Sequence, residues 1–414
     1  MTDAAIASAR LIKQRPFALF WLSRLASTLG YQMLAVAIGW SIYDITHSAF
    51  DLGLIGLIQF VPTVVFTLLI GHAADRYDRR VIVRLSQAVN ALAAALVLAA
   101  FIAHALSLEL LFGAVFLIGC ARAFEVPTAH ALVPVLVPQS LIARAVASWA
   151  SANQTAVICG PALGGLIYAV SPMLVCIICL TFFTAAITLV TLVKVGRPPP
   201  PREPPTLSSV LAGIEFIRTR MRLLGVISLD LFVMLLGGVT ALLPIYARDI
   251  LDAGPQGLGL LRSAPAIGAL SMSILLAHFP IERRIGIKMF SVVALFGIAT
   301  MVFSLSTWLP LSMAALAVLG ASDSVSVVVR FSLVQIETPD AMRGRVTAIN
   351  SLFVGTSNTL GEFESGMLAA LLGAVPSAFI GGLGSLLVAG IWMWLFPDLR
   401  RIDRYQPAPE SKRA

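Results

Sequence analysis

The chain is 414 residues long, 58% hydrophobic and only 12% charged, with a mean hydropathy of +0.91. A water-soluble domain carries about twice that charged fraction, so a soluble enzyme or a charged disordered chain is excluded. The net charge of +8 would point to nucleic acid in a soluble protein; here the basic residues gather in short loops, which points to a membrane surface and to no nucleic-acid partner.

Residues 1–16 are small and polar, with Arg10, Lys13 and Arg15, and no small-residue cleavage site closes a short apolar core. They are not expected to form a cleavable signal. A span needs about 20 mostly apolar residues to cross a bilayer. Apolar runs punctuated by Gly and Pro predict spans over 17–43, 49–72, 81–104, 108–131, 144–169 and 173–195. A second set follows over 223–247, 257–280, 287–306, 309–333, 346–372 and 376–397. The expected fold class is an all-α membrane protein of twelve transmembrane helices in two six-helix halves, 1–195 and 223–397. Between them, 196–222 reads as a linker: a proline-rich stretch, then apolar residues at helical spacing ending in Arg218, Arg220 and Arg222. That pattern predicts an amphipathic helix on the inner membrane face. Residues 398–414 read as a tail.

Lysine and arginine alternate strongly between loops. Arg76, Arg84, Arg197, Arg283 and Arg400 fall on one side, while the other side offers little beyond Arg248. The positive-inside rule then puts both termini in the cytoplasm. The two halves also match at a fixed offset. Pro138 and Pro339, Arg144 and Arg345, Gly160 and Gly361, and Gly165 and Gly366 are each 201 residues apart.

Cys176 and Cys179 have metal-like spacing but stand among Ile, Leu and Val without a histidine partner, and read as packing residues. No metal or cofactor is expected. There is no Gly-x-x-x-x-Gly-Lys phosphate loop, so ATP does not drive the protein directly. No nucleophile, base and acid set stands outside lipid, so no enzyme is expected.

Charges inside spans are costly and functional by default. The candidates for carrying protons are Asp230, Glu362, Glu125 and Asp323, and the intramembrane cations are Arg24, Arg122 and Arg330. Arg122 and Glu125 are three apart on one helix and can pair. Asp323 and Arg330, two turns apart, share a face as well. On that spacing Glu125 and Asp323 are held by cations, and Asp230 and Glu362 are the first to test. Asn153, Gln154 and Asn358 are polar mid-span residues that must face protein or a water-filled cavity.

Two motifs carry a resemblance. The block Gly71-His-Ala-Ala-Asp75-Arg76-Tyr-Asp-Arg79-Arg80, between the second and third spans, resembles the cytoplasmic loop signature of major facilitator superfamily transporters. The resemblance implies that Gly71, Asp75, Arg76, Arg79 and Arg80 form a conformational latch, with Asp75 meeting the first turn of span 11 near Arg345. Gly160-Pro161-Ala-Leu-Gly164-Gly165 resembles the span-5 motif of that superfamily's proton-driven exporters. Arg122 resembles their span-4 arginine, although Glu125-Val126 stands where Gln-Gly is expected. The stretches 330–350 and 360–366 are similar to the branch of enterobactin exporters. The resemblance implies a monomeric secondary transporter of the bacterial cytoplasmic membrane. It would export a small amphipathic or siderophore-like molecule in exchange for protons. A nutrient importer of the same fold, or a non-transporting membrane sensor or assembly factor, are the alternatives.

Overall fold

The computed structural model describes residues 14–194 and 207–405; the side chains of 67–76, 207–211, 340, 341 and 348 are outside that description, and with them those of Gly71, Asp75 and Arg76. Among the described residues every regular element is helical. The first six long helices are α1 (Arg15–Thr46), α2 (Ala49–Arg76), α3 (Arg79–Ile102), α4 (Leu108–Leu132), α5 (Ile142–Val170) and α6 (Pro172–Thr191). A short helix α7 (Leu207–Arg218) precedes α8 (Met221–Leu236), α9 (Gly254–His278), α10 (Ile285–Leu305), α11 (Leu309–Glu337), α12 (Asp340–Leu372), α13 (Ala374–Leu395) and the terminal turn α14 (Pro397–Arg400).

Local chemistry sets the helix ends. Ser107 Oγ accepts a hydrogen bond from Leu110 N at 3.3 Å, and Ser171 Oγ accepts one from Leu174 N at 3.4 Å. Pro172 opens α6, where its missing N–H costs nothing. Asp78 caps α3 by accepting from Arg80 N at 2.9 Å.

The seventh span, expected as one run over 223–247, is instead broken. α8 stops at Gly237-Gly238, and a 3₁₀ turn (Val239–Leu242), one α turn (Leu243–Ile245) and a π turn (Tyr246–Ile250) complete the crossing. Both glycines are in close contact: a Cβ on Gly237 would meet Phe296 and one on Gly238 would strike Gly361 of α12.

Among the described residues, ten helices are long and apolar enough to cross a membrane. The other two long ones, α5 and α12, run for 29 and 33 residues. Each is the fifth span of its half, and each trades apolar residues for polar ones: Asn153 and Gln154 in α5, Asn350, Asn358, Glu362 and Glu364 in α12. Large apolar side chains remain outside, among them Val170 at 76% and Trp394 at 79% exposure. A bilayer, in which apolar surface costs nothing, accounts for them.

Contacts gather these helices into two compact units. One holds α1–α6 with residues 246–263; the other holds α7, residues 221–245 and everything described from 264 onward. In the first unit α1 packs on α5 and α6, α3 on α4 and α6, and α2 on α4. In the second, α8 packs on α12 and α13, and α10 on α11 and α13. The same partners recur by position within each half. Glycine makes the equivalent approach in both. Gly119 of α4 faces Gln59 and Pro62 of α2, and Gly320 of α11, 201 residues on, faces Pro265 of α9.

The helix expected before the second half is α7, and its described C-terminal part packs against α12. A Cβ on Gly213 would strike Ile349 of α12 and lie 3.5 Å from Arg345 Cβ, and Ile217 is buried. After α14 the chain folds back, and Asp403 Oδ1 accepts from Arg284 N at 3.1 Å.

Candidate transport site

In the first unit a buried polar network crosses the helices. Arg24 of α1 forms an ion pair with Glu125 of α4, their residues 8% and 3% exposed. Ser27 Oγ donates to Glu125 Oε1 at 3.0 Å, and Asn90 Nδ2 of α3 donates to Oε2 at 3.4 Å. Gln87 Nε2 donates to Ser23 Oγ at 3.1 Å, and Ser23 Oγ donates to Ala186 O of α6 at 3.0 Å. Both carboxylate oxygens of Glu125 are therefore satisfied, as a buried ion must be to persist.

The pairing expected within α4 does not form. Glu125 is committed to Arg24, while the Arg122 guanidinium carbon lies 3.9 Å from the centre of the Tyr31 ring on α1. Spacing along one helix showed which residues share a face; it did not show that a second helix carries a better-placed cation.

The second unit repeats the surprise. Arg330 of α11 pairs with Asp230 of α8, both residues 5% exposed, rather than with Asp323 of its own helix. A second bridge, Arg222 to Glu337 at 3.3 Å, ties the same two helices. Asp323 is left without a cation among the described residues. It lines a cavity of about 10 Å³ together with Asp230, Ser322 and Ser326, walled by apolar side chains that include Val293 and Phe296. That volume is about what the centre of one water needs.

The other candidates are more dispersed. Glu362 is half-buried on α12 and keeps contacts of its own, and Gln154 of α5 does likewise. Asn153 is half-buried and Asn358 is exposed.

The glycine-proline motif of α5 is a contact surface on two sides. A Cβ on Gly160 would lie 2.6 Å from Gln32 Cβ, and one on Gly164 would lie 2.8 Å from Met33 Cα, both on α1. Gly165 faces Pro255 and Gly259 at the start of α9, and Gly259 in turn faces the carbonyl of Pro161. Ser263 Oγ donates to Ile158 O at 2.6 Å in the same seam. Beside it, the Tyr43 hydroxyl donates to Asp249, and Arg248 pairs with Asp44.

From the charged loop block, Arg79 donates to Ala131 O at 2.9 Å and Arg80 to Val193 O at 2.8 Å, tying the ends of α4 and α6 to the start of α3. The hydrogen bonds from Arg80 hold Asp78 below the usual carboxylate range.

Two sets of helices with recurring internal contacts, six spans each, and a buried polar cluster among the helices of each define a multi-pass membrane transporter of the major facilitator fold. Solved structures share it. A bacterial homologue of the human lysosomal transporter Spinster, inward-facing and unoccupied, aligns over 95% of this chain and 99% of its own with a TM-score of 0.74 at 13% identity. An inward-facing bacterial homologue of the iron transporter ferroportin aligns over 94% and 99%, with a TM-score of 0.70 at 16% identity. The chain belongs to the transmembrane secretion effector family of the major facilitator superfamily, whose pattern matches residues 7–412. The enterobactin exporter EntS of Citrobacter koseri is 28% identical over 410 residues, 97% of each chain. EntS of Escherichia coli is 26% identical over 411 residues, 96% of each. These proteins are transporters, not enzymes, and the partners they imply here are a membrane and a small-molecule substrate.

Proposed function

We propose that this transporter exports a small amphipathic or siderophore-like compound in exchange for protons, working as a monomer by alternating access in the bacterial cytoplasmic membrane. Export is supported by near full-length similarity to two enterobactin exporters and by the glycine-proline seam of α5. Both termini are cytoplasmic in this reading, because the arginine-rich loops share their side.

The observation that carries the proton half is the unpaired Asp323 beside the paired Asp230. An acid that carries protons must change charge within each cycle. Protonating Glu125 would abandon Arg24, and protonating Asp230 would abandon Arg330, leaving a buried cation alone in each case. Among the described residues Asp323 has no such partner to abandon, and its cavity leaves room for a water. It becomes the first carrier to test, ahead of Glu362, with the paired Asp230 and Glu125 last. The latch reading of Gly71, Asp75, Arg76, Arg79 and Arg80 stands beside it. An anion at a helix start contributes about 0.3–2 kcal/mol, enough to bias a balanced pair of states several-fold.

The test uses the full chain in vesicles loaded with a pH-sensitive dye, to which amphipathic compounds and siderophores are added in turn. A transported compound should move protons in wild type and fail to do so in Asp323→Asn. Compound flux without any proton movement would sink the antiport reading. Proton movement unchanged in Asp323→Asn would place the carrier elsewhere.

A further inference from the structure

Arg122 stands well inside its span. At about 1.5 Å per residue it lies roughly 20 Å from the Leu108 end of α4 and roughly 15 Å from the Leu132 end. A cation at that depth faces the bundle interior or a water-filled space and finds a carboxylate or an acceptor. The only acid within a turn of it, Glu125, is already neutralised by Arg24 and saturated by Ser27 and Asn90. Among the described residues no carboxylate and no hydrogen-bond acceptor meets Arg122. Its one partner among them is the Tyr31 ring, 3.9 Å away. A ring face eases the burial of a cation, but it offers nothing to the five N–H donors of the guanidinium edge. Arg122 and Tyr31 are both half-buried, so the pair is open on one side.

The repeat places a charge without a counter-ion among the described residues at the equivalent position of the other half, though of opposite sign. Residue 122 and residue 323 are 201 apart, the register that relates the two halves. One is Arg and the other Asp, and neither has a counter-ion among the described residues. In both halves the neutral pairs, Arg24 with Glu125 and Asp230 with Arg330, are made by other residues.

We infer that Arg122 receives the anionic group of the transported compound, which makes the substrate a small organic anion. A carboxylate or similar planar oxyanion takes the guanidinium fork, and an aromatic or apolar body lies against Tyr31. This deepens the transport reading above by assigning the charge of its substrate. A bidentate arginine contact suits such a group better than lysine would, because the fork matches the spacing of the two oxygens.

The experiment measures binding to purified full-length protein in detergent by titration calorimetry. Two ligands, naphthoate and naphthamide, share a planar head group and an aromatic body but differ in charge. Naphthylmethylammonium is a cationic control expected to bind most weakly. Wild type should bind naphthoate about tenfold or more tightly than naphthamide, as charge-assisted hydrogen bonds predict. Arg122→Gln should remove that preference, Arg122→Lys should keep part of it, and Tyr31→Leu should weaken naphthoate and naphthamide alike. No preference for naphthoate in wild type, or a preference that survives in Arg122→Gln, would overturn the inference. Should Arg122→Gln not fold, Tyr31→Cys decides in its place. Naphthoate should slow its labelling by a neutral maleimide more than naphthamide does, and equal protection by the two would overturn the inference. Proton-driven flux is scored separately in vesicles. Its absence would defeat the exchange reading while leaving the anion preference standing, and the converse result separates them equally well.

Discussion

The N-terminal and C-terminal halves solve one problem with opposite signs. Each buries one ion pair between helices about 100 residues apart in sequence, Arg24 with Glu125 and Asp230 with Arg330. Among the described residues, each also carries a charge without a counter-ion at the same register position: a cation at 122 in the first half, an anion at 323 in the second. The paired charges hold helices together and are poor carriers, because changing one strands the other. In the reading proposed above, the unpaired ones are where a substrate anion or a proton enters without dismantling the bundle. In a repeat protein of this kind, the informative position is where the halves stop matching.

The sharpest way to break the comparison is to remove the anion. Asp323→Asn should abolish proton-driven transport while leaving the thermal midpoint in detergent unchanged or higher, since it deletes an unpaired charge. A large loss of stability with proton coupling retained would turn Asp323 into a structural residue.

Breaking the pairs should do the reverse. Asp230→Asn leaves Arg330 buried without a counter-charge, a cost of roughly 3–5 kcal/mol in a protein interior. Glu125→Gln should cost less, because Ser27 and Asn90 can still bond the amide oxygen. Chemical or thermal unfolding in detergent reads both, and equal losses would show that those two donors contribute nothing.

Packing sharpens the comparison at a smaller scale. A Cβ on Gly320 would sit 2.6 Å from the Pro265 Cα, against 3.1 Å from the Gln59 Cα for its counterpart Gly119. Gly320→Ala should therefore destabilise by about 1–3 kcal/mol, as overpacking does, and Gly119→Ala by clearly less. The order of the two midpoints is the measurement.

The smallest effect belongs to the charged loop. The Asp78–Arg80 bridge is exposed at 43% and 33% of its side chains, so Arg80→Ala should change stability by no more than about 1 kcal/mol. Any larger loss would have to come from the bond to Val193 O.

The sequence alone determined that the chain lives in a bilayer, that its spans are helical, where most of the helices lie to within a few residues, and that it repeats. The reason is physical. Lipid offers no hydrogen-bond partner, so each crossing satisfies its backbone internally and announces itself as a long apolar run. The break at Gly237-Gly238 was less legible, because the run stays apolar across it and only the close approach of Phe296 and Gly361 requires it. Tertiary structure alone decided the charge pairs. Spacing along a helix reveals which side chains share a face. The cost of burying an ion is settled by whatever stands opposite, and here the opposite residue came from another helix: Arg24 for Glu125, Asp230 for Arg330. What those two choices left over, Arg122 and Asp323, could not be read until both partners were placed.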